Sequence, residues 1–158
     1  MTITASLNLT IDISAGRTLI SNAGTLDVAA GVVLTVVEGS TLLGSGTVLS
    51  GSGTVAFVSS EITLDTDLVV GSNEVIVSGS HVDGPGRLTI ALGGTATFDS
   101  GYYHHRGANT VDTSIINAGL LQFFGETELR AELTNQPTGV VQVTTIDGYL
   151  SVGAAIVT

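Results

Sequence analysis

Cysteine, lysine and tryptophan are absent from the 158 residues, and proline occurs only as Pro85 and Pro137. Without cysteine there is no disulfide framework, no thiolate zinc site and no cysteine nucleophile. Without lysine, the four basic residues are Arg17, Arg87, Arg106 and Arg130, set against 14 acidic ones for a formal charge of −10. Binding to phosphate backbones or anionic lipid needs clustered cations, so nucleic acid is not an expected partner. The surplus of negative charge suits a surface-rich, elongated molecule in a salty medium that screens its self-repulsion. Aromatic residues are 4% of the chain, too few to build the stacking platforms on which polysaccharide enzymes hold sugar rings.

Long apolar runs are missing too. Stretches such as Val32 to Val37 have the length of a strand, well short of the roughly 20 residues of a membrane helix, so membrane insertion is not expected. The opening MTITASLNLTIDISAG has no basic start, apolar run or small-residue cleavage signature, which excludes a secretory signal. The expectation is a short, complete chain, exported by another route or released with a particle assembled inside the cell.

What the chain does hold is Val, Ile, Leu and Thr alternating with small polar residues, interrupted by 21 glycines. That is the pattern of strands and turns, with no helices expected. Five segments share the form Gly-x-apolar-x-apolar: Gly24 to Val28, Gly53 to Phe57, Gly86 to Ile90, Gly119 to Phe123 and Gly139 to Val143. Most are followed by a second alternating segment, as at Val32 to Val36, Glu61 to Leu64, Thr95 to Phe98 and Thr127 to Leu133. Asn22, Asn117 and Asn135 shortly precede three of these glycines. Asparagine and glycine both accept left-handed backbone angles, so these positions are expected at sharp corners, with amides able to bond up the stack.

The spacings between the glycines are 29, 33, 33 and 20 residues. The shortest is what three short strands and three corners occupy, and is taken as the bare coil. The longer steps then carry about 13 extra residues, which a solenoid expels as loops. The expected places are Ser100 to Asp112 and a hairpin around Val69 to Val82. The fold expected is all-β, a single-domain parallel β-solenoid (β-helix) of about five coils with inserted loops. Residues 1–15 form an N-terminal cap or an exchanged strand, 16–150 the coils and 151–158 a C-terminal cap. The rival is an antiparallel β-sandwich or barrel, disfavoured because no Asn-Gly or Asp-Gly turn joins two strong strands.

The unit Asn-Ala-Gly-x-Leu-x-Val/Phe, at Asn22 to Val28 and Asn117 to Phe123, resembles the β-helical passenger repeats of autotransporters and haemagglutinin-like adhesins. It is similar also to the β-helical parts of phage tail spikes and virion decoration proteins. The resemblance covers about residues 15–150 and rests on stacking geometry. It implies a surface location, on a virion or outside the cell, and a structural or adhesive role. It carries over no catalytic residue, and the chain lacks the signal peptide and membrane barrel of an autotransporter.

Among candidate sites, Tyr102, Tyr103, His104, His105 and Arg106 gather residue types that dominate interfaces, with histidines whose protonation near neutral pH alters a contact. The alternative is a loop that only covers the solenoid. A metal site on His104 and His105 is not expected, since neighbours in an extended segment point apart and no third ligand is near. Asp65 and Asp67, and Glu126, Glu128 and Glu132, are spaced for one outward strand face, with Leu129, Ala131 and Leu133 inward. Such a row is ordinarily a solvated face, although paired carboxylates also serve glycosidases. Calcium at Asp65-Thr-Asp67 lacks the supporting loop motif, and Thr95 with Thr97 is too short a ladder for ice binding. No Gly-x-Ser-x-Gly elbow is present. The expectation is a non-enzymatic protein without cofactor or metal, of the virion decoration or fibre type. A secreted adhesin or surface-layer module is the alternative, and a polysaccharide-processing enzyme a remote one. The expected partners are copies of itself, a trimer by analogy, and another structural protein such as a capsid or surface protein.

Overall fold

A computed structural model of the protein describes residues 2–7, 9–13, 18–21, 24–100, 107–144, 150–152 and 156–157. Among these residues there are 22 strands and no helix. In chain order they are β1 (Thr2–Ala5), β2 (Leu9–Asp12), β3 (Thr18–Ser21), β4 (Thr25–Val28), β5 (Val33–Val37), β6 (Ser40–Leu43) and β7 (Val48–Gly51). Next come β8 (Thr54–Val58), β9 (Glu61–Leu64), β10 (Leu68–Val70), β11 (Glu74–Ser78), β12 (His81–Asp83), β13 (Leu88–Ile90), β14 (Thr95–Asp99) and β15 (Asn109–Val111). The last are β16 (Ile115–Asn117), β17 (Leu120–Phe124), β18 (Thr127–Leu129), β19 (Leu133–Asn135), β20 (Val140–Thr144), β21 (Leu150–Val152) and β22 (Ile156–Val157).

Strands pair in parallel with the strand three further along, except between β7 and β10, which stacks them into three walls. The first wall is β2-β5-β8-β11-β14-β17-β20 and the second β3-β6-β9-β12-β15-β18-β21. The third is split into β1-β4-β7 and β10-β13-β16-β19-β22. The molecule is a parallel β-solenoid of about six turns, one more than the glycine count suggested, and the antiparallel alternative falls with the uniformly parallel pairing. β1 and β2 pair within the chain, with β4 and β5. They extend the third and first walls, and β21 and β22 continue the second and third walls on β18 and β19.

Alternation explains the core. In the first wall Leu9, Leu34, Val55, Val75, Ala96, Leu121 and Val141 form one column, and Ile11, Val36, Phe57, Val77, Phe98, Phe123 and Val143 the next. The members of both columns from Leu34 to Phe123 are buried. Phe98 and Phe123 stack at 5.5 Å between ring centroids. Because side chains alternate with period two, a one-residue slip would turn these columns out to water, so the pattern fixes the register.

From Leu34 onward the steps along that column are 21, 20, 21, 25 and 20 residues. The bare coil is thus about 20 residues, but the 33-residue spacings have another origin than large insertions. Gly53, Gly119 and Gly139 lead into first-wall strands, whereas Gly24 and Gly86 lead into third-wall strands β4 and β13. Gly53 to Gly86 is therefore a coil plus part of the next. The expected hairpin around Val69 to Val82 is instead β10, β11 and β12, each in its own wall. In the other 33-residue step the coil is lengthened by five residues, and part of the segment expected as a loop is β15.

The corners carry the polar chemistry. Between the first and second walls Glu38, Ser59, Gly79 and Gly125 have φ of 62°, 52°, 53° and 80°, the left-handed geometry of a tight turn. Beside it Ser60, Ser80, Asn109 and Thr127 are buried. The Ser60 amide donates to Ser80 Oγ at 3.0 Å, and the Ser80 amide to Asn109 Oδ1 at 3.2 Å. This answers backbone donors that the turn removes from the ladder.

Candidate functional site

Tyr102, Tyr103, His104, His105 and Arg106, and the corner residue Asn22, lie outside the described residues. The other corner residues are placed. Asn117 and Asn135 end β16 and β19 at the approach to the first wall, stacked in register. Asn117 Nδ2 donates to Asn135 Oδ1 at 2.8 Å and to the Val140 carbonyl at 3.0 Å. Asn135 Nδ2 donates to the Gly139 carbonyl at 3.0 Å. The two amides tie successive turns at the corner, and Gly119 and Gly139 follow within it.

The carboxylate rows are arranged differently from the expected strand face. Asp65 and Asp67 occupy the corner between β9 and β10. Thr127 to Leu133 is two strands, β18 and β19, with Arg130, Ala131 and Glu132 in the corner between them. Leu129 and Leu133 do point inward. Of these acids Asp67 bonds a neighbouring turn, while Glu128 and Glu132 bond residues two positions along their own turn. Arg87 grips Asp67 of the turn below through Nη2 at 2.9 Å and Nε at 3.2 Å. Hydrogen bonds from Arg87 hold the Asp67 carboxyl below the usual carboxylate range. Arg130 Nη2 donates to Glu128 at 2.7 Å and likewise lowers its pKa, and Thr134 donates to Glu132 at 3.0 Å.

The densest polar cluster on the described surface was not singled out by sequence reading. It lies on the outer side of the second wall, where His81 of β12 stands above Glu61 of β9. His81 Nδ1 is 2.9 Å from Glu61 Oε2, and Nε2 is 2.7 Å from Asp112 Oδ2, just past β15. Arg130 Nη1 approaches the same Asp112 oxygen at 3.8 Å. A line of charge, Glu61–His81–Asp112–Arg130–Glu128, thus climbs from β9 to the end of β18. Partial burial of the ring disfavours its charged form, but the hydrogen bonds with Asp112 and Glu61 outweigh this and raise the His81 pKa above 6.5.

Chemically this cluster binds turns to one another. Both imidazole nitrogens are committed to carboxylates, which leaves no lone pair to accept a substrate proton while the bridge stands. Among the described residues no group of three or more His, Cys, Asp or Glu converges as a metal-binding set. No helix among them is long and apolar enough to cross a membrane.

A different kind of site lies at the end of the first wall. Val141 and Val143 sit above Leu121 and Phe123, which are fully buried, yet are 36% and 47% exposed. At the opposite end of the same columns Leu9 is 39% exposed. Comparison of the chain with models of known protein families, with curated proteins and with solved structures gives no match in any of the three.

Proposed function

We propose that the protein is a non-enzymatic structural element, displayed on a virion or cell surface, that assembles with further copies of itself through the ends of its solenoid. The observation that carries this reading is the opening of the core at β20. Val141 and Val143 have the inward positions of a buried column, and among the described residues no strand pairs with β20 on the side away from β17. A terminal strand of this kind offers unpaired backbone groups beside an apolar surface, the combination that recruits another strand. The occupant that fits is an end of a second copy, because the first-wall columns are open at both ends of this chain, at Leu9 as well as at Val141.

The outer walls support the same reading. Their charged side chains are spent on contacts between turns, such as Arg87 with Asp67, as expected of a scaffold whose stability accrues turn by turn. The partner beyond itself is another structural protein, such as a capsid protein, which makes a phage decoration or fibre protein the favoured form. The Asn-Ala-Gly units that resemble adhesin repeats favour a second form, a secreted adhesin or surface-layer module.

Light scattering on the purified protein tests the assembly. A mass that is a multiple of 15.9 kDa is expected, three-fold for a trimer of the tail-spike kind. Val143→Lys, which sets a charge at the open end of the core, is expected to return the monomer with its strand content unchanged. A strict monomer at every accessible concentration overturns the assembly.

A further inference from the structure

Glu61, His81 and Asp112 belong to three successive turns, and they meet only because the second wall stacks β9, β12 and β15 in order. The two hydrogen bonds of the ring impose a condition on its charge. Ionised carboxylates accept and do not donate, while a neutral imidazole has a single N–H and serves one of them at a time. Contacts of 2.9 Å to Glu61 and 2.7 Å to Asp112 are satisfied together by the doubly protonated ring.

The bridge crosses the thinnest step in its wall. β12 and β15 share two register pairs, His81 with Thr110 and Val82 with Val111. The step below, β9 to β12, has three, and the step above, β15 to β18, also has three. The covalent connection is the longest in the wall as well: β14 ends at Asp99 and β15 begins at Asn109, whereas one turn earlier β11 ends at Ser78 and β12 begins at His81. Among the described residues the step is held by the Val111 side chain, the short ladder and the Ser80 amide bond to Asn109 Oδ1, and the charged bridge adds to these few contacts.

We propose that His81 is a proton-controlled staple, which when charged clamps β9, β12 and the chain just after β15 together, and when neutral releases the β12 to β15 step to local opening. The groups around it favour the charged form. Glu61 faces it from β9, Asp112 from beyond β15, and Asp83 lies two residues along β12 itself. Arg130 and Glu128 of the next turn stand behind Asp112, and the Thr110 side chain beside the ring is uncharged. Two carboxylates contact the ring, and among the described residues the nearest cation, Arg130, reaches only the far side of Asp112.

The folded-state pKa is raised, which fixes the sign of the pH effect. The staple is fully present below about pH 6.5, the unfolded value, and is lost as pH rises through the higher folded value. Strong acid removes it by another route, protonating Glu61 and Asp112. The proposal is independent of self-assembly, because every group in it lies within one chain and away from β2 and β20.

Proton NMR of the histidine rings and hydrogen exchange of named amides test it together. The Thr110 amide donates to the Ser80 carbonyl at 3.0 Å and the Asp112 amide to that of Val82 at 2.8 Å, both across the step, while the Leu120 amide bonds Gly94 elsewhere. Relative to Leu120, protection at Thr110 and Asp112 is expected to fall about threefold from mildly acidic to mildly alkaline pH, the size of an exposed ion pair. His81→Gln is expected to abolish that dependence. Should His81→Gln not fold, Asp112→Asn keeps an acceptor without the charge and is expected to lower the His81 midpoint. A wild-type His81 midpoint at or below about 6.5, or an unchanged pH dependence in His81→Gln, overturns the staple.

Discussion

Gly119 opens β17 with its Cα set against the turn below, where an added methyl would collide with the carbonyl oxygens of Ala91 and Gly94 and crowd the Ile90 side chain. Two of those neighbours are backbone and cannot rotate away, so the turns would have to part. Gly119→Ala is expected to cost about 1–3 kcal/mol, the range for forcing atoms into a packed interior, as a lowered midpoint in urea unfolding. The contrast is Arg87→Ala. Arg87 and Asp67 are about half exposed, 53% and 47%, so water competes with the pair and its loss is expected to shift the urea midpoint less than Gly119→Ala does. If the arginine change proved the larger of the two, corner packing would not be what spaces the turns.

The same positions show what a sequence exposes at this scale. Glycine and asparagine at corners could be named in advance because few other residues accept such backbone geometry. His81 could not, since a lone histidine in an alternating segment looks like any outward polar residue. Its signal is long-range: Glu61 and His81, like Asp67 and Arg87, are 20 residues apart. Complementary charges one coil apart become visible only when the 20-residue coil is laid from each turn onto the next.

At the level of strands, period-two alternation was enough to establish the walls and which residues point inward. It was not enough to say which wall a strand belongs to. The first and third walls share the Gly-x-apolar-x-apolar lead, so Gly86 before β13 and Gly119 before β17 look equivalent although they turn different corners. What separates the walls is width. First-wall strands such as β8, β11, β14 and β17 have five residues, while β10, β12, β13 and β16 have three. The wider wall holds the aromatic column, and its stability follows from that. Phe98 and Phe123 are wholly buried and stacked, so Phe123→Ala is expected to cost about 3–5 kcal/mol through lost contact and the cavity left behind. Phe124, on the outer side of β17 and only half-buried, is the control. Its change to alanine is expected to leave the thermal midpoint nearly unmoved, and equal losses at the two positions would mean that the outer side is packed as tightly as the core.

A solenoid as a whole is stable in proportion to neighbours, because each turn touches only the turns on either side. Interior turns have two, and the turns at β2 and β20 have one. Hydrogen exchange at low concentration is therefore expected to slow from the ends inward, with amides of β8, β11 and β14 opening only in the global transition and those of β20 opening locally. Self-assembly changes this profile in a way that intrinsic stability cannot. If an end of a second copy covers Val141 and Val143, then protection along Val140 to Thr144 rises with protein concentration, as mass action requires of any state stabilised by binding. The interior amides, which open only in the global transition, rise by no more than the global stabilisation that binding confers. A profile in which β20 is as well protected at the lowest concentration as at the highest would mean that the open end of the core is sealed within the single chain and that its exposed valines have no partner to find.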